Sequence, residues 1–296
     1  MADRSYVEPD YQIPGSPARA VRILVVGVTG SGKSTFVSQA TGRDVGIGHD
    51  GDSCTQVCKS YYIPHDIDRT QFELIDTPGF DDPHKRDFDV LKDISESLDG
   101  VSGVVYCHPI TDTKLIGDSK LNLEIIKAMC GRRFYNRIVI CSTMWDTFRE
   151  NVTHQQLEKH RTRMEHLLGT GLRDLMEEGA KYMEFQAEKS DSYLSILQSF
   201  SSLRFPPKMA ILEQLSRRRN VQDTDSGQVI EEEHKRREAE GNHRQQASLK
   251  ARDAEHKNAP KKQQQDYDYG GRDSRHAYAS AKTRDLEQKA SPWKFW

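Results

Sequence analysis

Short apolar blocks alternate along the chain with longer stretches of helical spacing. Val21 to Val26 is β-branched and almost continuously apolar, the pattern of a strand buried on both faces. Gly27 to Ser34 is a glycine-rich turn, and a helix starts at Ser34 and runs through Gln39. Thr55 to Ile63 alternates and predicts a strand, and Gln71 to Ile75 predicts another. The turn between them, Pro64 to Arg69, is too short for a crossover helix, so the two should form an antiparallel hairpin. Phe88, Leu91, Ile94 and Leu98 give Lys85 to Leu98 a helical period. Val101 to Cys107 then predicts a strand, Ser119 to Cys130 a helix and Arg137 to Cys141 a strand. Gln155 to Leu168 predicts a helix with a polar face, Leu172 to Glu177 a short helix, Tyr182 to Phe185 a weak strand and Ser192 to Leu203 a final amphipathic helix.

This alternation implies an α/β fold: a mostly parallel six-stranded sheet, one antiparallel edge strand, and helices on both faces. The pattern holds over residues 20–215. Before it, residues 1–19 read as a disordered leader in which Pro9, Pro14, Gly15 and Pro17 break any helix. After it, residues 216–296 form a charged, low-complexity tail, disordered or partly helical. From Arg217 on there are 18 Lys+Arg against 14 Asp+Glu, an excess of +4, and few large aliphatics. Ile230 to Lys257 is expected as a solvated helix without the apolar heptad of a strong coiled coil.

Composition bounds the picture further. Apolar residues are 35% of the 296 and the mean hydropathy is −0.78, too polar for a chain that is compact throughout. The 43 Lys+Arg and 45 Asp+Glu leave a net charge of −2, which argues against nucleic acid or an anionic membrane as a bulk partner. No apolar run approaches the ~18–20 residues of a membrane span. The N-terminal stretch lacks the apolar region of a secretory signal, position 2 is Ala2 rather than a myristoylated glycine, and no prenylation motif closes the chain. The five cysteines are odd in number, and several lie in strand-like runs. They read as reduced thiols, which makes the cytoplasm the expected compartment. Cys54-x3-Cys58 does not match a zinc spacing.

Candidate chemistry begins with Gly27-Val28-Thr29-Gly30-Ser31-Gly32-Lys33-Ser34, which satisfies G-x4-G-K-[ST] between a predicted strand and a predicted helix. Glycines at 27, 30 and 32 let backbone N–H groups curl inward toward phosphate oxygens, and the following helix N-terminus adds partial positive charge. Thr29, Ser31 and Thr35 complete the cradle. Lys33 should reach the β- and γ-phosphates, and the Ser34 hydroxyl should ligate Mg²⁺. Asp76-Thr77-Pro78-Gly79 ends the strand Gln71 to Ile75 and places a carboxylate near Mg²⁺ and the Gly79 N–H near the γ-phosphate. Thr55, with Ser53 as its competitor, is the loop hydroxyl that meets Mg²⁺ and γ-phosphate only when a triphosphate is bound. After Arg137 to Cys141 comes Ser142-Thr143-Met144-Trp145-Asp146. The Asp146 carboxylate can accept from guanine N1–H and N2–H₂, groups that adenine does not offer; its plainer reading is the N-cap of the next helix.

These motifs, G-V-T-G-S-G-K-S, D-T-P-G-F-D-D and S-T-M-W-D, stand in an order that resembles the septin-related G domain of the avirulence-induced and immunity-associated GTPases, the GIMAP-like family, in its fungal form with T-x-W-D. The segment His108-Pro109-Ile110-Thr111-Asp112, through Leu121 to Cys130-Gly131, resembles the box that sets this family apart from Ras-like proteins. The resemblance covers residues 22–203. It implies a P-loop G domain that binds GTP and GDP with Mg²⁺, hydrolyses slowly, and self-associates through the G-domain face. Thr143 and Met144 replace the usual Asn and Lys. The guanine loop falls near Phe185-Gln186-Ala187-Glu188, where Gln186 stands in for the family's Asn.

Phe80 occupies the place where Ras-like enzymes carry a water-orienting glutamine, so no catalytic residue is assigned. Asp81, Asp82, His49 and His84 are nearby but read more simply as solvated loop residues. Lys114 and Arg132 are candidate cations donated across a homodimer. The Trp293-Lys294-Phe295-Trp296 tip is a candidate contact for a membrane interface or a partner pocket, and equally a flexible end. Three function classes follow: a cycling GTPase, a non-hydrolysing GTP/GDP-binding scaffold, and an ATP-using P-loop enzyme, which Asp146 opposes.

Overall fold

The computed structural model describes residues 20–45, 55–80, 85–112, 115, 117–148, 154–203, 205–217 and 220–258. The leader, Ser53, Cys54, His49, Asp81, Asp82, His84, Lys114 and the aromatic tip lie outside the described residues. Six strands form one sheet: β1 (Val21–Val26), β2 (Lys59–Tyr62), β3 (Phe72–Asp76), β4 (Val101–Pro109), β5 (Ile138–Thr143) and β6 (Lys181–Glu184). Their order is β2-β3-β1-β4-β5-β6, and only the β2–β3 pair is antiparallel. β3, β4 and β5 are buried at every residue, as strands covered on both faces must be, whereas β2 is an exposed edge.

Strand periodicity separates two cores. Ile23 and Val25 face one side, with Phe36, Val37 and Ala40 of helix α1 (Lys33–Thr41) and Ile196 and Leu197 of α6 (Ser192–Gln198). Leu24 and Val26 face the other. They belong to a core shared with α2 (Asp87–Ser97), α3 (Asp118–Cys130), α4 (His154–Gly169), α5 (Arg173–Glu177) and α7 (Ala210–Leu215).

The chain follows the sequence pattern with local differences. The strand expected over Thr55 to Ile63 ladders only at Lys59–Tyr62, because Thr55 turns inward to Asp76 instead of pairing along the edge. The helix expected over Ser192 to Leu203 stops at Gln198, after which Phe200, Ser201 and Leu203 donate to carbonyls three residues back. On the C-terminal side α7, which the pattern does not announce, buries Ile211. The long helix α8 (Asp225–Asn258) starts five residues before the expected Ile230.

Two compact units divide the chain, Met1–Arg237 and Glu238–Trp296. In the first, the opening turns of α8 are packed: Thr224, Ser226 and Ile230 are fully buried, His234 lies 3.4 Å from Asp87, and Arg237 pairs with Asp118. In the second, residues 238–252 are a solvent-exposed helix. Too few apolar residues lie at 221–230 to stand out by composition, yet each meets α2 or the core beneath it. Ile230→Ala should therefore destabilise the first unit by about 2–4 kcal/mol, read by chemical denaturation, a cost typical of a filled core site. A loss below 0.5 kcal/mol would place α8 outside the folded unit.

Candidate functional site

All the parallel strands point their carboxyl ends to one edge of the sheet, and the turns after β1, β3, β4, β5 and β6 gather there. The turn from β1 to α1 holds three glycines at positive φ: Gly27 at 148°, Gly30 at 73° and Gly32 at 84°. At Gly27 a Cβ would stand 2.4 Å from the Cys107 carbonyl oxygen, so the loop lies directly on β4 and only glycine fits. Within the curl, the Ser31 N–H donates to Val28 O at 3.1 Å, and the buried Lys33 Nζ donates to Gly27 O and Val28 O, each at 2.9 Å. The ammonium thus holds the loop in shape from inside. The Ser31 hydroxyl is buried with no protein partner, and Thr29, Gly30, Ser34 and Thr35 fill the rim and the first turn of α1.

Beside this loop three predicted metal ligands converge. Thr55 Oγ1 donates to Asp76 Oδ2 at 2.8 Å, Ser34 Oγ donates to the same oxygen at 3.2 Å, and the two hydroxyls are 3.5 Å apart. Asp76 is 1% exposed, and its second oxygen, Oδ1, is buried without a hydrogen-bond partner. Burial raises the Asp76 carboxyl above the usual range, against the opposing pull of Thr55, Lys33, Ser34 and Lys59. An orphaned carboxylate oxygen next to two hydroxyls is a donor set of the right kind for a hard cation that retains waters and phosphate oxygens as its other ligands. Among the described residues no group of three or more His, Cys, Asp or Glu gathers to hold a metal ion, here or elsewhere. Asp76→Asn should raise the melting temperature of the ligand-free protein by removing a charge that burial disfavours, while lowering Mg²⁺-dependent nucleotide affinity by about tenfold or more. Equal affinities with and without Mg²⁺ in the wild type would remove Asp76 from this role.

Gly79 and Phe80 are both buried, and the Phe80 ring joins the core shared by α2 and α3. Thr77 Oγ1 donates to Val25 O at 2.8 Å and ties the turn after β3 to β1. Arg132 falls elsewhere. It follows α3, which runs back from the loop edge, so it lies where the parallel strands begin, and its guanidinium pairs with Glu178. Its position leaves the expectation of donation across a homodimer where the sequence put it, and in the single chain its partner is Glu178.

The segment after β5 is anchored at both ends. Thr143 Oγ1 donates to Ser31 O at 2.7 Å, which joins the expected base-reading segment to the phosphate loop. Met144 adopts φ 64°, and the turn it makes starts a single 3₁₀ turn, Trp145–Phe148. Trp145 is buried, its Nε1–H shared between Ser142 O at 3.2 Å and Ser142 Oγ at 3.1 Å. Asp146 is half-buried next to it. Its turn belongs to this 3₁₀ segment, and α4 begins only at His154, so Asp146 does not cap that helix.

Gln186 arrives from the neighbouring strand β6, which pairs with β5 up to Ser142 and Glu184. Its backbone N–H donates to Ser192 Oγ at 2.8 Å, and its side chain donates to Glu184 Oε2 at 3.2 Å. Gln39 of α1 braces the same loop by donating to Ala187 O at 3.1 Å and Lys189 O at 2.7 Å. Gln39, Glu184 and Arg161, whose guanidinium carbon lies 5.3 Å from the Trp145 ring centroid, carry no motif signal; only the tertiary contacts show them. Among the described residues no cysteine side chain joins these contacts. Burial pushes the Cys58 thiol up to about 12 and holds Cys130 and Cys141 well above the ordinary range, so none of these is a poised thiolate.

Residues 22–136 match the family model described as 50S ribosome-binding GTPase. That model and the six-stranded topology identify the fold as that of a P-loop GTPase. No curated protein matches the chain. Among solved structures, it is similar to a bacterial selenocysteine-specific elongation factor, EF-Sec, at 16% identity and a TM-score of 0.44, over 62% of this chain and 28% of that one. It is also similar to Toc33 from Arabidopsis thaliana in complex with GDP and Mg²⁺, at 13% identity and 0.46, over 62% of this chain and 84% of that one. A third is NFeoB from S. thermophilus, at 17% identity and 0.41, over 67% and 70%. The chain thus spans little more than a quarter of the elongation factor's length.

Proposed function

We propose that this chain binds GTP and GDP with Mg²⁺, hydrolyses GTP slowly to GDP and phosphate, and acts as a nucleotide-dependent switch. The observation that supports this most is the convergence of Ser34, Thr55 and Asp76 beside the phosphate loop, with Asp76 Oδ1 buried and unpartnered. Bound Mg²⁺ would neutralise the phosphate charge; Ser34, Thr55 and Asp76 are the residues that would hold it. Lys33 keeps the loop curled and supplies the cation for the phosphates. Thr55 is the switch residue: its hydroxyl belongs to a loop whose order depends on γ-phosphate. Asp146 reads the base, and Thr143 holds its segment to the phosphate loop.

The buried Phe80 supports slow hydrolysis by the chain alone, because no side chain at that place can orient water. It equally supports the second reading, a GTP/GDP-binding scaffold that assembles without hydrolysis at a partner or membrane surface. The resemblance to the immunity-associated GTPases favours assembly as a homodimer through the G-domain face. The reduced thiols Cys58, Cys107, Cys130 and Cys141 fit a cytoplasmic protein.

Displacement of fluorescent GDP by GTP, GDP and ATP in Mg²⁺ tests the reading. Displacement by both guanine nucleotides but not ATP supports it, and equal displacement by ATP overturns it. Turnover per enzyme measured against protein concentration then separates the two readings: a rise with concentration supports dimer-assisted hydrolysis, and no turnover at any concentration supports the scaffold.

A further inference from the structure

Two chain segments separated by about forty residues carry the proposed base contacts, and one side chain touches what holds each of them. Arg161 stands on α4, outside both. Its guanidinium lies over the Trp145 indole at 5.3 Å, and Trp145 is the buried residue immediately before Asp146. The same guanidinium donates from Nε to Glu184 Oε1 and from a terminal nitrogen to Glu184 Oε2, both at 3.4 Å, and its other nitrogen donates to Glu158 at 3.1 Å. Glu184 Oε2 in turn accepts from the Gln186 side chain at 3.2 Å. A planar guanidinium can stack on an aromatic face and fork a carboxylate at once, which a lysine ammonium cannot do.

We infer that Arg161 is a positioning residue for base selection, joining the Trp145–Asp146 turn and the Glu184–Gln186 loop into one bracket around the purine. The inference rests on the guanine-nucleotide reading above. The 3₁₀ turn that carries Asp146 has one helical turn's worth of backbone and starts from a left-handed Met144, so side-chain anchors set where its carboxylate points. Trp145 is anchored from below by Ser142, whose hydroxyl also lies 2.9 Å from Tyr182 OH, and Arg161 covers the ring. The bonds described for these groups run among themselves, whereas the bond from this segment to the phosphate loop is made by Thr143 to Ser31 O. Loss of Arg161 should therefore change which base is preferred and leave the phosphate contacts of Lys33 and Ser34 as they are.

The test uses the full chain. Affinities for GDP, IDP (which lacks the N2 amine) and ADP are measured in Mg²⁺ by displacement of fluorescent GDP, with inorganic pyrophosphate as a competitor that has no base. In Arg161→Ala the preference for GDP over IDP should fall by about tenfold, within the range of coupling between groups in contact. Pyrophosphate competition should stay within twofold of the wild type. Arg161→Lys should restore little of the preference, and Glu184→Gln should lower it in part. Arg161 is only half-buried, so thermal unfolding should show each variant folded. A GDP:IDP ratio unchanged in Arg161→Ala and in Glu184→Gln overturns the inference. So does a parallel loss of GDP and pyrophosphate, which would make Arg161 a general stability residue. A wild type that binds all three diphosphates alike overturns the guanine reading itself, a result distinct from either.

Discussion

Lys33→Ala should cost the protein its tight nucleotide binding. The ammonium is buried and spans two carbonyls of the loop, so its removal takes away both the cation for the phosphates and the brace that keeps Gly27 O and Val28 O turned inward. Truncating one partner of a buried, hydrogen-bonded charge contact typically costs about 2–5 kcal/mol, so affinity for GDP should drop by roughly two orders of magnitude or more. Titration of the variant with fluorescent GDP reads this directly. The fold should survive, because β1 and α1 are held by Ile23, Val25, Phe36 and Val37 rather than by the lysine. Circular dichroism should therefore show a melting transition close to the wild type. Binding within threefold of the wild type, in a folded variant, would falsify the placement of phosphates in this loop.

Asp146→Ala should have the second largest effect, and of a different kind. A carboxylate that accepts from N1–H and N2–H₂ makes two charge-assisted bonds that adenine cannot match, and a site built on such bonds discriminates strongly against a base lacking the donors. Alanine should reduce the GDP over ADP preference by about a hundredfold or more, since each hydrogen bond to a charged group is worth roughly 1.5–3 kcal/mol. Pyrophosphate competition should not change, because Thr143, not Asp146, holds the segment to the phosphate loop. Asp146→Asn exchanges an acceptor for a donor and should favour a base with a carbonyl at C2, such as xanthine. Selectivity unchanged in both variants would mean that another residue reads the base. Together the two substitutions divide the site: one lowers affinity for every nucleotide, and the other lowers the choice among bases.

Much of this was legible from residues alone. The glycine spacing, Lys33 and Ser34 are local: an eight-residue turn between a strand and a helix has few ways to form, and the structure shows that turn between β1 and α1 with Gly27, Gly30 and Gly32 at positive φ. The hairpin of β2 and β3 was legible from loop length. The depth of α8's docking was not, because Ile230 and its neighbours are sparse in a charged sequence and acquire meaning only beside α2. Arg132 shows the converse. In sequence it lies near the family-like segment, but a helix that returns across the sheet carries it to the far end.

The sequence by itself determined the strand–helix rhythm and the glycine-rich turn after β1, and it singled out Thr55, Asp76 and Asp146 as candidates, because period, turn chemistry and short motifs act over a few residues. Tertiary structure alone decided that Asp76 Oδ1 is buried without a partner, that Thr143 bonds Ser31 O, and that Arg161 and Gln39 brace a segment far from them in the chain. Those facts depend on which strands lie side by side. Sheet order brings residues 31, 143 and 184 to one edge, and no local interaction along the chain encodes that meeting.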